Sequence, residues 1–548
     1  MSDDLARDVI RRHDRMRGDR SLMEPLWQEI AELVKPMRAD FTVTRTPGQR
    51  RGLRVFDGTP GYAAENLAAG LWGMVTNSAN EWFSLKHPDE ALNRQGEVKQ
   101  WTDATGAAMR EAFSAGGQRF YAAALELYAD LVAFGTGIFY VDEGRQPGRL
   151  FFSNRPLREC CIAQDDEERV DTVYRRFEWT AHQAYSRWGE GAGKSVLKAL
   201  RDDQPDACFW FLHAVEPNER VDPRRRDARG KAFRSVHVAE SDMEVLQAGG
   251  YDEFPYMVPR WSTSTGGLYG DSPAMLALPD IKTLQAQEKT TLVAAQKAAD
   301  PPLLAPDENA LRSVRVTPGG ITYGAVDANG RPLVVPLQSG GNFSLTLEMA
   351  EQKRQAIRVA FYATLLNMQA VPNETATAVL ARQEEQLRLM GPHLGRLQAE
   401  FHDPLISRVF GLMWRGQAFG QPPDVLRQAP QIAVEYVSPL AKAQKSSEAA
   451  SIMRTMEAVG PLMQVDPSII GNFDLDEVAR GIADGFAMPA RMLRDPEAVK
   501  RQREAQQQQA EQAAQMQALA ASAQPMAQAS RGVRDLAEAS RVAEGMGV

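Results

Sequence analysis

Residues 273–299, PAMLALPDIKTLQAQEKTTLVAAQKAA, and residues 344–366, SLTLEMAEQKRQAIRVAFYATLL, are two helix-grade stretches that bracket a short Gly/Pro-rich β segment running from Pro301 to Gly341. A chain that leaves along one long helix, makes a small β knot and returns along another builds a stalk with a tip. Stalks of this kind suit rings of identical copies. Within the insert the clearest local signal is Gly320 to Val326, then Asp327-Ala328-Asn329-Gly330, then Arg331 to Leu337. Asn-Gly between β-branched runs predicts a hairpin, because both central positions of its turn tolerate positive φ.

Working outward, Leu22, Leu26, Ile30 and Leu33, with Trp27 beside them, recur at helical spacing between Asp3 and Lys35, and Pro36 closes the segment. This predicts an N-terminal pair of helices, followed by helices over about Gly61–Asn77 and Val98–Phe113. Between Leu150 and Trp261 the texture changes to short apolar runs (Leu150–Phe152, Val170–Val173, Phe209–Val215) separated by charged turns, which predicts a β-rich unit. One helix, about Thr180–Arg187, interrupts it. The basic run Asp222–Arg229 reads as an exposed loop, since Asp222 and Asp227 dilute its charge. Past the second long stretch, Leu366–Asn373 reads as a loop, and Asn373 caps a further helix. In that helix Leu387, Met390, Leu394, Leu397 and Phe401 make one apolar stripe, with Pro392 placed to kink it. The chain is helical again over about Ser446–Val499. From Lys500 it is a Gln/Ala-rich tail with QQQQ at Gln506–Gln509, partly disordered in isolation or bundled between copies. The fold class is α+β, mainly α.

With 548 residues, 43% hydrophobic and 24% charged, the chain has material for a core and for several domains or subdomains. Its 63 basic and 71 acidic residues give a formal net charge of -8, which excludes coating DNA by wholesale neutralisation and leaves only local nucleic-acid contact. The three cysteines, Cys160, Cys161 and Cys208, form neither a disulfide framework nor a zinc spacing, and point to a reducing cytoplasm. No window approaches the roughly 18 unbroken apolar residues that a membrane span needs. The charged N-terminus does not read as a signal peptide.

The most enzyme-like motif is Gly189-Glu190-Gly191-Ala192-Gly193-Lys194-Ser195, which resembles a phosphate-binding loop but fails on spacing. The pattern requires a glycine where this chain has Trp188, and a helix rather than a strand precedes it. The histidines form no HExxH and no i, i+4 pair, and no GxSxG occurs. The cluster Asp165-Asp166-Glu167-Glu168 reads as a charged turn rather than a divalent-ion site. No catalytic residue, metal ligand or cofactor site is therefore assigned. The basic residues of the two long stretches carry more information. At about 100° per residue, Lys282, Lys289 and Lys297 fall within a quarter turn of one another, and Lys353, Arg354 and Arg358 share a neighbouring arc. Around a ring they would form belts that hold phosphate backbone weakly and without sequence preference. A solvated helix face, or subunit-to-subunit salt bridges with Glu288, Glu348 and Glu351, fits the same residues equally well.

The order of features resembles the portal, or head-to-tail connector, proteins of short-tailed bacteriophages over nearly the full length. Carrying the resemblance are Arg54-Val55-Phe56-Asp57-Gly58-Thr59, Leu67-Ala68-Ala69-Gly70-Leu71, Trp82-Phe83, Phe134-Gly135-Thr136-Gly137, Tyr269-Gly270-Asp271-Ser272-Pro273-Ala274, Thr375-Ala376-Thr377-Ala378 and Met488-Pro489-Ala490-Arg491-Met492-Leu493-Arg494. The resemblance implies a non-enzymatic ring of about twelve copies at one capsid vertex. Double-stranded DNA would pass through it during packaging and ejection. It also implies an organisation: wing 1–268, first stem helix 269–300, clip 301–343, second stem helix 344–366, tunnel loop 367–373, kinked wing helix and return 374–440, crown 441–499 and helical tail 500–548. The tunnel loop would hold Asn367, Met368, Gln369, Val371, Pro372 and Asn373, touching DNA by bulk and amides since it has no Lys or Arg. The clip hairpin, with Asp327, Asn329, Gly330 and Arg331, would dock terminase and later a tail adaptor. Capsid and scaffold proteins are further implied partners, with assembly in the host cytoplasm and no membrane involved. A ring adaptor or scaffold that never touches DNA, and a nucleic-acid motor built on Lys194, are the competing readings.

Overall fold

The computed structural model describes residues 2–304 apart from 45, 47, 80, 94, 115–118, 147, 223 and 226, then 321, 326–327, 329–337, 343–363, 390–426, 433–436, 439–465, 471–486, 488, 492 and 499–515. The chain divides into two compact units. One comprises Met1–Trp82, Ala108–Phe419 and Ser438–Leu440; the other comprises Phe83–Ala107, Gly420–Val437 and Ala441–Val548. The architecture is α+β and mainly helical.

In the first unit five strands, Cys160–Gln164, Val170–Thr180, Cys208–Pro217, Phe233–Ala239 and Glu244–Tyr251, pair antiparallel in chain order. Side-chain alternation puts Tyr174, Leu212, Ala214, Val236 and Val238 on one face, where Ala6 and Val9 of the helix Ser2–Arg20 cover them. Phe177, Phe211 and Ala239 face the other way, under the helices Ala181–Trp188 and Lys194–Arg201. The first of these helices was expected, and Thr180 with Gln183 closes its start as a capping box. The second goes beyond the sequence reading. The acidic cluster makes the turn between the first two strands: the Asp165 carboxylate accepts from the backbone N–H groups of Glu167 and Arg169 at 2.9 and 2.8 Å.

A second, three-stranded sheet has Phe139–Glu143 in the middle, between Leu150–Asn154 and Tyr256–Met257. It packs into an aromatic core in which Phe113, Phe120, Phe139, Phe152 and Phe401 contact one another, with ring centroids 4.5 to 6.3 Å apart. The helices Glu24–Val34, Thr59–Val75 and Phe120–Phe134 complete this unit beside the long helix Pro273–Ala299 and the return helix Phe343–Ala360. Leu22, assigned to the N-terminal apolar stripe, is 84% exposed, because it lies in the turn between Ser2–Arg20 and Glu24–Val34.

In the second unit Phe83–Lys86 pairs antiparallel with Ala433–Tyr436. The helices Pro439–Val465 and Leu475–Gly485 follow. Residues 499–515 of the Gln-rich region are helical and exposed, with Arg503 paired to Asp476 at 2.7 Å. The rest of the tail lies outside the described residues.

Candidate functional site: the long helix pair and its base

The long helix starts at Ser272, whose Oγ accepts from the Met275 N–H at 3.0 Å and donates to the Ala133 carbonyl at 2.9 Å. Pro273 follows at the first helical position, where a missing N–H costs nothing. Below this cap two glycine-containing motifs cross. Gly135 ends the helix Phe120–Phe134 at φ +75°, and a Cβ there would lie 2.6 Å from the Gly270 carbonyl carbon and 2.8 Å from that of Asp271. Conversely, a Cβ on Gly270 would lie 3.0 Å from Arg260 Cβ. Thr136 Oγ1 accepts from the Gly270 N–H at 2.8 Å. The segments Phe134–Gly137 and Tyr269–Ala274 thus form one junction that seats the long helix.

The return helix runs antiparallel to the long one. Gln287 Nε2 donates to the Thr346 carbonyl at 2.8 Å, and Lys353 Nζ pairs with Asp280 at 2.7 Å. Ala277, Leu278, Ile281, Leu284 and Gln285 bury the base of the long helix, whereas no residue beyond Gln285 in it is buried. Gln285 makes a buried contact that the sequence reading did not single out. Its Oε1 accepts from the Phe56 and Asp57 N–H groups at 2.6 and 2.9 Å, and its Nε2 donates to the Asp57 carbonyl at 2.7 Å. The motif Arg54–Thr59 is thereby clamped to the long helix. The available signal was an amide among the apolar residues of the buried face.

The six basic positions do not stand as bare belts. Lys282 pairs with Glu29 at 2.7 Å, Lys353 with Asp280, and Arg358 with Glu351 at 2.8 Å. Arg354 reaches Asp57 at 2.8 Å, Glu351 at 3.3 Å and Glu288. Of the acids expected to bridge between subunits, Glu288, Glu348 and Glu351, the first and last are used within the chain, and Glu29 and Asp57 arrive from elsewhere in the fold. Burial pushes the Asp57 carboxyl up, but hydrogen bonds from Thr59 and Arg354 outweigh it and hold the group below the usual carboxylate range. Lys289 lies 5.8 Å from the Phe56 ring, and Lys297 is exposed in the last turn of its helix.

At the tip, Leu303–Leu304 pairs with Val335–Pro336, and Val326 bridges Pro332. The turn differs from the expected two-residue form. Among the described turn residues only Gly330 has positive φ, +76°, and the Asp327 carboxylate accepts from the Asn329 and Arg331 N–H groups at 2.9 and 2.8 Å and closes a longer loop. Ala328 and most of Gly320–Val326 lie outside the described residues.

The return helix ends at Ala360, short of the expected Leu366, and Tyr362 sits at φ +55°. The Tyr362 hydroxyl lies 3.3 Å from His393 Nε2, and His393 stacks on Trp261 at 4.4 Å. The loop residues Asn367, Met368, Gln369, Val371, Pro372 and Asn373 lie outside the described residues; Pro392 is described as helical, but residues 364–389 before it are not among those described. The irregularity the described helix does show is a π turn, Gln398–His402, which brings Glu400 to Arg260 at 2.8 Å.

The phosphate-loop-like segment carries its own anion. The Asp242 carboxylate accepts from the Ser195 N–H at 3.0 Å and from the Ser195 hydroxyl, and a Cβ on Gly193 would stand 2.8 Å from it. The helix start that would cradle a phosphate is thus occupied by a side chain. Among the described residues no group of three or more His, Cys, Asp or Glu is arranged to hold a metal, and no helix is long and apolar enough to cross a membrane.

The family described as bacteriophage head to tail connecting protein matches residues 6–493. A portal protein of Salmonella phage epsilon15 is 30% identical over 508 residues, covering 90% of each chain. A probable portal protein of Bordetella phage BPP-1 is 30% identical over 498 residues, covering 90% of this chain and 88% of the relative. The chain belongs to the bacteriophage head-to-tail connecting protein family, and its role is that of a portal protein.

Proposed function

We propose that about twelve copies of this chain form a ring at one capsid vertex, through which double-stranded DNA enters the head and later leaves it. The observation that carries this reading is the antiparallel helix pair, seated at its base by the Gly135–Gly270 crossing and closed at its tip by a small β element. Beyond Gln285 no residue of the long helix is fully buried within its own subunit, and Leu292 on it and Leu347 on the return helix are 51% and 57% exposed. Such surface needs neighbours, and adjacent helix pairs in a ring would supply them. In this reading the pair is the stem, residues 301–343 are the clip, whose tip at Asp327–Arg331 docks terminase and then a tail adaptor, residues 1–268 and 374–440 form the wing, and residues 441–499 with the Gln-rich tail form the crown.

The intrachain ion pairs change how the channel would treat DNA. With Lys282, Lys353, Arg354 and Arg358 paired, Lys289 and Lys297 are the stem positions best suited to phosphate, and the wall as a whole is close to neutral. Weak contact of that kind lets a polymer slide. The ring has no reaction to perform, and the energy for packaging would come from a separate ATP-driven motor. Electron microscopy of the purified chain, with particle mass measured in parallel, tests the proposal. Rings with a central hole wide enough for duplex DNA are expected, and a chain that stays monomeric at high concentration and with scaffold protein present would overturn it.

A further inference from the structure

Among the described strands Leu150–Asn154 is an edge of its sheet, bonded only to Phe139–Glu143. Directly after it Arg155 is fixed by its backbone, whose N–H donates to the Ile138 carbonyl at 2.7 Å. The Arg155 guanidinium lies over two rings, 5.0 Å from Tyr140 and 5.6 Å from Phe151. Its Nε is sealed from solvent without a hydrogen-bond partner, and among the described residues no carboxylate pairs with it. Arg155 is half-buried, and the three fully buried guanidinium groups are matched: Arg20 with Glu24, Arg260 with Glu400 and Arg408 with Glu253. The nearby Arg175 is committed to Glu159 at 2.9 Å, and its charge adds to burial in lowering the Arg155 pKa. Beside this unmatched cation Phe151 is 43% exposed.

A half-buried guanidinium with its Nε–H unsatisfied and no anion beside it gains from an ion pair on its open side. We propose that Arg155, with Phe151 as an apolar shoulder, is a docking point for a carboxylate side chain of a second copy of this chain, completed when subunits assemble. The planar fork suits a carboxylate, and the flanking rings keep water from the pair and so strengthen it. A chain with 71 acidic against 63 basic residues offers such groups in excess. This inference rests on the ring reading above.

The test is Arg155→Met, which keeps an apolar stem against Tyr140 and Phe151 and removes the unmatched charge. Separated subunits of the variant should melt at the wild-type temperature or higher. Half-assembly, followed by sedimentation, should need about tenfold more subunit, and the salt dependence of assembly should weaken. Arg155→Lys should fall between the two. A Met variant that assembles at the wild-type concentration overturns this inference and leaves the ring reading standing, including the case in which Arg155 serves a different protein. A Met variant whose separated subunits melt lower also overturns it, because the arginine would then be supporting its own subunit. A wild-type chain that never assembles overturns both.

Discussion

Replacing Gly135 by alanine adds one methyl group where two backbone segments cross under the long helix, and the cost has two separable parts. An L residue at φ +75° is disfavoured by about 1–2 kcal/mol. The new Cβ would also stand 2.6 and 2.8 Å from the carbonyl carbons of Gly270 and Asp271. Unbonded carbons settle at about 3.5–4.0 Å, so the crossing must open by about 1 Å, an overpacking cost of about 1–3 kcal/mol. The total is about 2–5 kcal/mol. Gly148 provides the control: its φ is +76° and a Cβ there meets nothing within 4 Å, so Gly148→Ala bears the dihedral cost alone. Urea unfolding of separated subunits, followed by near-ultraviolet circular dichroism, should therefore show Gly135→Ala less stable than Gly148→Ala by about 1–3 kcal/mol. Equal midpoints for the two variants would refute the reasoning, since they would mean that the crossing has slack and does not seat the helix.

Arg354→Met should cost about 1–3 kcal/mol by leaving Asp57 and Glu288 without their shared partner. Because the folded Asp57 carboxyl is held below 3.8, its contribution is present above about pH 4 and is lost as pH falls through the folded value, so the variant's stability should vary less in that acid range. Burial pushes His237 and His402 down to about 3 from 6.5, so their neutral forms favour the folded state fully above pH 6.5 and progressively less below it. Urea midpoints measured from pH 7 to 4 should fall, and His402→Gln should flatten the slope, whereas an unchanged slope would contradict that origin. Burial pushes the Cys160 thiol up to about 12, while Cys208 is exposed. An aromatic disulfide reagent at pH 8 should titrate one thiol in the folded chain and all three after unfolding.

How much of this was legible in the sequence follows from the range of each interaction. The long helix was readable to the residue, Pro273–Ala299, because its start signal, its run of helix formers and its stop before Pro301 are all local. The end of the return helix was not, since Tyr362 adopts positive φ beside His393 and Trp261, residues remote in the chain. The hairpin tip shows the same division on a smaller scale. Asn-Gly located the turn, but the Asp327 carboxylate chose its form.

The basic positions are the most instructive failure. Helical periodicity groups Lys353, Arg354 and Arg358 on one arc, yet it cannot say what stands opposite, and Asp57 and Asp280 reach Arg354 and Lys353 only through the tertiary fold. A charge is a candidate contact for DNA to the degree that the fold leaves it unpaired, and that is a property of the far side of the contact. The same logic, run in reverse, singles out Arg155, an unremarkable arginine after a short strand until the fold shows that, among the described residues, two rings but no carboxylate stand against its charge.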